Sequence, residues 1–390
     1  MRLTLSEQQT EFRKQVADFL EANWEGTDAV GMGAFGDEES HEKELAFKRK
    51  LAEFGWLGVA LPQEYGGAGK TPMEQFLFVE EVTYRGAPHS YIGVGFVAPT
   101  LIRYGTEEQL KRFLPPLIRG EIEFCLGYSE PDAGSDLASL QTSITEDGDD
   151  LVINGSKIYT TNAHRVEYCW LAGRTDPDVP KHKGISLAIV PLDSPGVTIA
   201  PLMTSGGERT NQVFFDSVRI PKANLVGEKN RGWYYLAVAL DFERFNGFPL
   251  GGIRRSFDEV VDAVRVATVD GRPLRDEPWV PEVIGRLSTR LEATMTLKLN
   301  TVAIAERGEV PNTEASMLKV MASDIAQEIA FGANEIFGPA ALIKKGQPGA
   351  IANGRFEHAL RSTVLQRFAG GANEIMKNII AQRGLGLPRD

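Results

Sequence analysis

Two cysteines, Cys125 and Cys169, in a chain of 390 residues are too few for a disulfide framework, and five scattered histidines add no metal-ligand spacing. Both thiols are expected to be structural, and no metal site is expected. Basic residues are also scarce relative to acidic ones: 42 Lys and Arg against 53 Asp and Glu give a net charge of −11. That balance excludes general nucleic-acid binding, because neutralising phosphates needs clustered cations. An anionic ligand would require a local basic patch. No apolar run approaches the roughly 18 residues that cross a bilayer, and the opening MRLTLSEQQT lacks the charged-then-apolar order of a signal peptide. The expectation is a cytoplasmic chain with no membrane part. Internal repeats, low-complexity tracts and flexible linkers are missing too, so the domains should pack tightly.

What is present is a 42% hydrophobic content, ample for two or three domains with buried cores. Residues 1 to about 122 read as helical: Ser6 as N-cap with Gln9 three residues on, then Phe12, Val16, Phe19 and Leu20 along one face. Helices continue over 42–55 and 73–85, separated by the loop PQEYGGAGK. The pattern changes near Phe124. Short apolar runs then alternate with turn signals: LVI before Asn154-Gly155, a strong type I′ hairpin signal, then KIYTT, ISLAIVPL, VTIAPL and QVFFDSVRI. Past Gly232 the helical period returns, with Leu287, Leu291, Met295, Leu299 and Val302 on one face and Leu318, Met321, Ile325, Ile329 and Ile336 on the next. Gly338-Pro339 should end that second helix. The order is α, β, α, with long C-terminal helices suited to a bundle.

Three motifs mislead. GGAGKT at 66–71 resembles the end of a phosphate loop, but its required first glycine would fall on Glu64. Gly93-Val94-Gly95 lacks the third glycine of a dinucleotide fingerprint and sits among helices, so a turn is expected there. Asn154-Gly155-Ser156 is a glycosylation sequon only in a secreted chain. YSEPDAGSD at 128–136 is different: Pro131 and Gly134 shape a loop where the β region begins. Ser129, Ser135 and backbone N–H groups can then donate to an anionic or carbonyl-rich ligand. Tyr159 and Thr161, two residues apart, should share one strand face, suited to stacking on a planar ring while donating to its edge.

YSEPDAGSD followed by INGSKIYTTN resembles the flavin-binding signature of the acyl-CoA dehydrogenase family. The resemblance extends to the opening LSEQQTEFR, the loop LPQEYGGAG and the closing GGANEIMKNIIAQRGLGLPR. It implies a multidomain α+β fold: an N-terminal all-α domain at 1–122, a central β-barrel-like or sandwich domain at 123–230 with the flavin and substrate contacts, and a C-terminal four-helix bundle at 231–390. It also implies FAD, with Tyr159 as aromatic wall where the family usually has Trp, Thr161 donating to flavin N5, Ser129 on the pyrimidine side, Ser135 touching both cofactor and substrate, and Tyr128 as a further cofactor contact. Arg272, Glu335, Gly338, Ala372 and Glu374 fall where further cofactor contacts are made.

Oxidising a thioester between its α and β carbons needs a base for the α proton and donors for the carbonyl, worth roughly 10²–10⁴-fold and roughly 10²–10³-fold each. Most members of the family resembled place the base just before a Gly-Thr pair near the C-terminus. Aligned on NEI, that position here is Gly370, which cannot accept a proton. Isovaleryl-CoA and long-chain dehydrogenases are similar to this chain in carrying their Glu in a stretch like LDFER, which Glu243 matches. The resemblance therefore implies Glu243 as base, Gly370 N–H as carbonyl donor, and Asp241 and Arg244 as substrate contacts. The other reading of Glu243 and Arg244 is a solvated helix pair, and Leu240, Phe242 and Phe245 around them argue against full exposure. Gly247, Gly251 and Gly252 suggest room for a branched or ring-bearing acyl group, or close helix packing.

Departures from the family pattern concern the neighbouring subunit. Its Arg-x-Phe-Gly segment reads DGRPLRDEP here, which leaves Arg272 as the candidate substitute, and EIFGP and Glu374 put carboxylates where glutamines are common. Actinobacterial dehydrogenases of steroid-fragment CoA esters look similar in these segments. The implied partners are an acyl-CoA substrate, an electron-transfer flavoprotein as acceptor, and either a homotetramer or an α2β2 assembly with a related subunit. A flavin oxidase or monooxygenase on the same fold, and a non-catalytic partner subunit, are the competing functions.

Overall fold

The computed structural model of the chain describes residues 5–26, 38–90, 92–237 and 249–388. Helix starts follow the capping rules. Ser6 Oγ accepts from Gln9 N and Gln9 Oε1 accepts from Ser6 N, opening α1 (Glu7–Asn23), which buries Phe12, Val16, Phe19 and Leu20. The same reciprocal box opens α3 (Pro72–Tyr84) at Thr71 and Glu74, and α5 (Glu107–Ile118) at Thr106 and Gln109. Each such cap contributes about 1 kcal/mol. Between them lie α2 (Glu38–Glu53) and α4 (Ala98–Tyr104).

The chain groups into two compact units. The first draws on residues 1–41, 71–88 and 244–390 and is helical, with α6 (Leu250–Val266), α7 (Trp279–Glu306), α8 (Asn312–Phe337), α9 (Arg355–Gln366) and α10 (Asn373–Ile379). Leu287 and Leu291 of α7 pack with Val260 of α6 and with Ile325, Ile329 and Ile336 of α8, while Met73, Phe76 and Leu77 pack with Val302. Fully burying each such side chain stabilises by roughly 1.5–3 kcal/mol. As expected, α8 ends at Gly338, whose φ of 54° favours glycine.

The second unit draws on residues 42–70 and 89–243 and, among the described residues, holds an eight-stranded sheet in the order β6-β7-β3-β2-β4-β5-β8, with β1 beside β4. The strands are β1 (Phe124–Gly127), β2 (Ser143–Asp147), β3 (Asp150–Lys157), β4 (Tyr168–Arg174), β5 (Ile185–Pro191), β6 (Val197–Met203), β7 (Arg209–Pro221) and β8 (Leu225–Val226). Cys125 and Cys169 are free, fully buried and in register across the parallel pair β1–β4.

Three local expectations change. Asn154-Gly155 is not the hairpin turn but lies inside β3, at a bulge against β7. Asn154 Oδ1 accepts from Ser217 N at 2.8 Å, and a side chain on Gly155 would come within 2.7 Å of Thr142 Cα, so the glycine serves close packing. The β2–β3 connection falls instead at residues 148–149, where Gly148 has φ of 60°. Gly93-Val94-Gly95 belongs to a π-helical segment, Gly93–Val97, in which Gly93 N donates to Glu123 Oε1 at 2.8 Å and a methyl group would collide with that carboxylate and with Leu117. Finally, KIYTT is not a strand, because β3 stops at Lys157.

Candidate active site

In the sheet unit, β1 delivers the chain into the loop 128–136. Glu130 and Ala133 exchange both backbone hydrogen bonds at 3.1 Å, closing a tight turn around Pro131 and Asp132. Beneath it lies a buried ion pair: Lys157 Nζ donates to Glu130 Oε1 at 2.7 Å and to Tyr128 O at 3.1 Å. The Glu130 carboxylate also accepts from Gln141 N at 2.6 Å and Thr142 N at 2.9 Å. Burial alone would raise the Glu130 carboxyl, but Lys157 and these donors hold it below the usual carboxylate range. Burial pulls the Lys157 ammonium down, with Glu130 opposing. Tyr128 is buried, Ser129 half-buried and Ser135 exposed.

Past β3 the backbone turns sharply. Tyr159 has φ of 57°, a left-handed conformation that costs an L-residue roughly 1–2 kcal/mol. The strand alternation expected for Tyr159 and Thr161 therefore fails: Tyr159 turns its ring outward, 64% exposed, while Thr160 turns inward and is fully buried. Thr160 N donates to Asn211 O, and Asn211 Nδ2 donates to Thr160 O, both at 2.9 Å. Asn211 Nδ2 also meets His164 Nδ1 at 3.1 Å. Thr161, half-buried, donates its N–H to Tyr159 O. Two buried atoms in this turn, Thr160 Oγ1 and Asn162 Oδ1, have no hydrogen-bond partner among the described residues. Buried polar atoms are otherwise nearly always paired, and strained, incompletely satisfied turns concentrate at ligand sites. An outward aromatic face on such a turn fits a flat, polar-edged ligand.

The helical unit holds the other candidates. Gly370 and Gly371 form a turn with φ of 65° and 97°, leading to Ala372, the N-cap of α10. Lys319, fully buried on α8, donates to Arg367 O at 2.9 Å and to Asn373 Oδ1 at 2.8 Å, and Asn373 N donates to Arg367 O at 2.8 Å. The turn is thereby gripped at both ends. Glu374 is exposed in the first turn of α10. Glu335 is ion-paired with Arg286 at 3.0 Å, so its carboxylate is already matched by a cation. Arg272, exposed, belongs to a small hairpin of β9 (Thr268–Val269) and β10 (Arg272–Pro273) whose turn has positive φ at Asp270 and Gly271. Asp241, Glu243, Arg244 and Gly247 lie outside the described residues. Gly251 serves close packing: a methyl group there would collide with Glu80 O on α3.

Lys157, Glu130, Asn211, Lys319 and Arg286 were not anticipated from the sequence. A lysine is ordinarily a solvent-facing residue, and nothing local marks Lys157 or Lys319 as buried. Among the described residues no helix is long and apolar enough to cross a membrane, and no cluster of His, Cys, Asp or Glu could hold a metal ion.

Sequence models of the acyl-CoA dehydrogenase N-terminal, middle and C-terminal domains match residues 6–121, 125–218 and 230–385. The chain belongs to the acyl-CoA dehydrogenase family. This makes it a member of a family of oxidoreductases, with helical N- and C-terminal domains and, between them in sequence, a β-sheet domain. The acyl-CoA dehydrogenase FadE26 of Mycobacterium tuberculosis is 35% identical, over 100% of this chain and 99% of its own. Among solved structures, the Tcur3481-Tcur3483 steroid ACAD matches with a TM-score of 0.93 and 36% identity over 100% of both chains. The ChsE4-ChsE5 complex from Mycobacterium tuberculosis matches with a TM-score of 0.90 and 34% identity, again over 100% of both.

Proposed function

We propose that this chain is an FAD-dependent acyl-CoA dehydrogenase converting a CoA thioester to its trans-2-enoyl-CoA, on a bulky or steroid-derived acyl group. The observation that carries the reading is the Tyr159 ring presented outward on a strained turn in a member of this family. The likeness to a steroid ACAD supports the acyl class.

Glu243 takes the α proton onto its carboxylate as the β hydrogen leaves with its electron pair and the α–β double bond forms. Gly370 N–H polarises the thioester carbonyl and stabilises the developing enolate oxygen. Tyr159 walls the flavin ring, Thr161 donates to its edge, and Tyr128, Ser129 and Ser135 line its pyrimidine side and the substrate. Bound FAD would supply the hydride acceptor. Arg244 meets the anionic CoA, and Asp241 contacts substrate. The paired Glu335 and the exposed Arg272 make a weaker phosphate site, as assembly with a related subunit would allow; the two-component relatives support that arrangement. An electron-transfer flavoprotein would then reoxidise the enzyme in the cytoplasm.

The test is anaerobic flavin bleaching by straight, branched and polycyclic CoA esters, with the chain purified alone and with its subunit partner. Bleaching by polycyclic esters above the rest is expected. A preparation that holds FAD but is bleached by none of them would refute the reading.

A further inference from the structure

Lys157 has no part in the chemistry above, yet it is the last residue of β3, two positions before Tyr159, and fully buried. Its Nζ donates to Tyr128 O and Glu130 Oε1, and the next residue, Ile158, donates its N–H to Ser129 O at 2.9 Å. The carbonyls of Tyr128 and Ser129 are thus both drawn to the strand end that presents the tyrosine ring. A trans peptide is planar, with C=O and N–H pointing opposite ways, so a Tyr128 carbonyl aimed at Lys157 sends the Ser129 N–H away from that lysine. Burying both charges carries a desolvation cost that their attraction must offset, and an apolar pair of similar volume would often stabilise as well. Stability alone therefore gives this pair no advantage.

We propose that Lys157, held by Glu130, is a positioning residue: by fixing the Tyr128 carbonyl it aims the Ser129 amide at the flavin and sets its spacing from Tyr159. This rests on the flavin reading above, and the test separates the two. The variants are Lys157→Met with Glu130→Leu, which replaces the pair by apolar side chains, and Glu130→Gln, which keeps an acceptor for Nζ. For each, thermal unfolding, FAD affinity of the apoprotein by fluorescence titration, and the flavin absorption band are measured. The double variant should unfold near the wild-type temperature yet bind FAD at least about tenfold more weakly, equivalent to about 1.4 kcal/mol, with a shifted band. Glu130→Gln should stay close to wild type in affinity and band position. A double variant that binds FAD with wild-type affinity and spectrum overturns the proposal, as does a Glu130→Gln protein that loses FAD without losing stability. A wild-type chain that binds no FAD, either alone or with its subunit partner, overturns the functional reading itself.

Discussion

A methyl group on Gly251 would collide with the carbonyl of Glu80 and crowd the Thr83 hydroxyl at 2.5 Å, because the first turn of α6 lies directly on α3. Overpacking of this kind costs about 1–3 kcal/mol. Gly251→Ala should lower the urea midpoint accordingly, whereas Gly134→Ala, with open space around it, should leave it unchanged; equal midpoints for both would contradict the packing. Residue-scale roles were the least legible part of the sequence for the same reason. Asn154-Gly155 has the residues of a hairpin turn, yet what selects glycine there is the approach of Thr142, just before β2, a tertiary fact. Tyr159 and Thr161 have the spacing of one strand face, but a left-handed φ at Tyr159 breaks the alternation. The ring ends up exposed by backbone reversal rather than by strand geometry.

Among the elements, α3, α6 and α7 meet at a buried pair. Leu250 N donates to Glu80 Oε1 at 2.8 Å, burial raises the Glu80 carboxyl, and burial pushes the nearby Lys298 ammonium down to about 8 from 10.5. Between those values the unfolded chain holds more protons on this lysine than the folded one. Its contribution to stability therefore rises with pH through that window. A tenfold difference in proton affinity between the two states is worth about 1.4 kcal/mol. Between about pH 7 and about pH 10, urea titrations should show wild type gaining on the order of 2 kcal/mol over Lys298→Met; a difference that stays flat would refute the lysine's burial. The helices themselves were readable: Leu287 and Leu291, and Ile325, Ile329 and Ile336, recur at helical spacing because only one face is buried. Strand β4 was not anticipated, since its run from Cys169 to Arg174 is buried throughout and offers no alternation to detect.

Across the whole molecule, the α, β, α order stood out in the sequence because the hydrophobic period itself switches near Phe124 and again past Gly232. The grouping of early helices was not: α1 and α3 fall with the C-terminal helices in one unit, α4 and α5 with the sheet in the other, and no local pattern records such long-range packing. Lys157 and Lys319 escaped the sequence for the same reason: their burial comes from partners far along the chain, which no motif spacing records. The proposed function depends most on Glu243 as the base, since Gly370 occupies the common base position. The most direct measurement is the stopped-flow rate of flavin reduction by an active CoA ester in Glu243→Gln against wild type, at equal FAD content. A fall of at least about 10²-fold is predicted; a rate within a few-fold of wild type would contradict it.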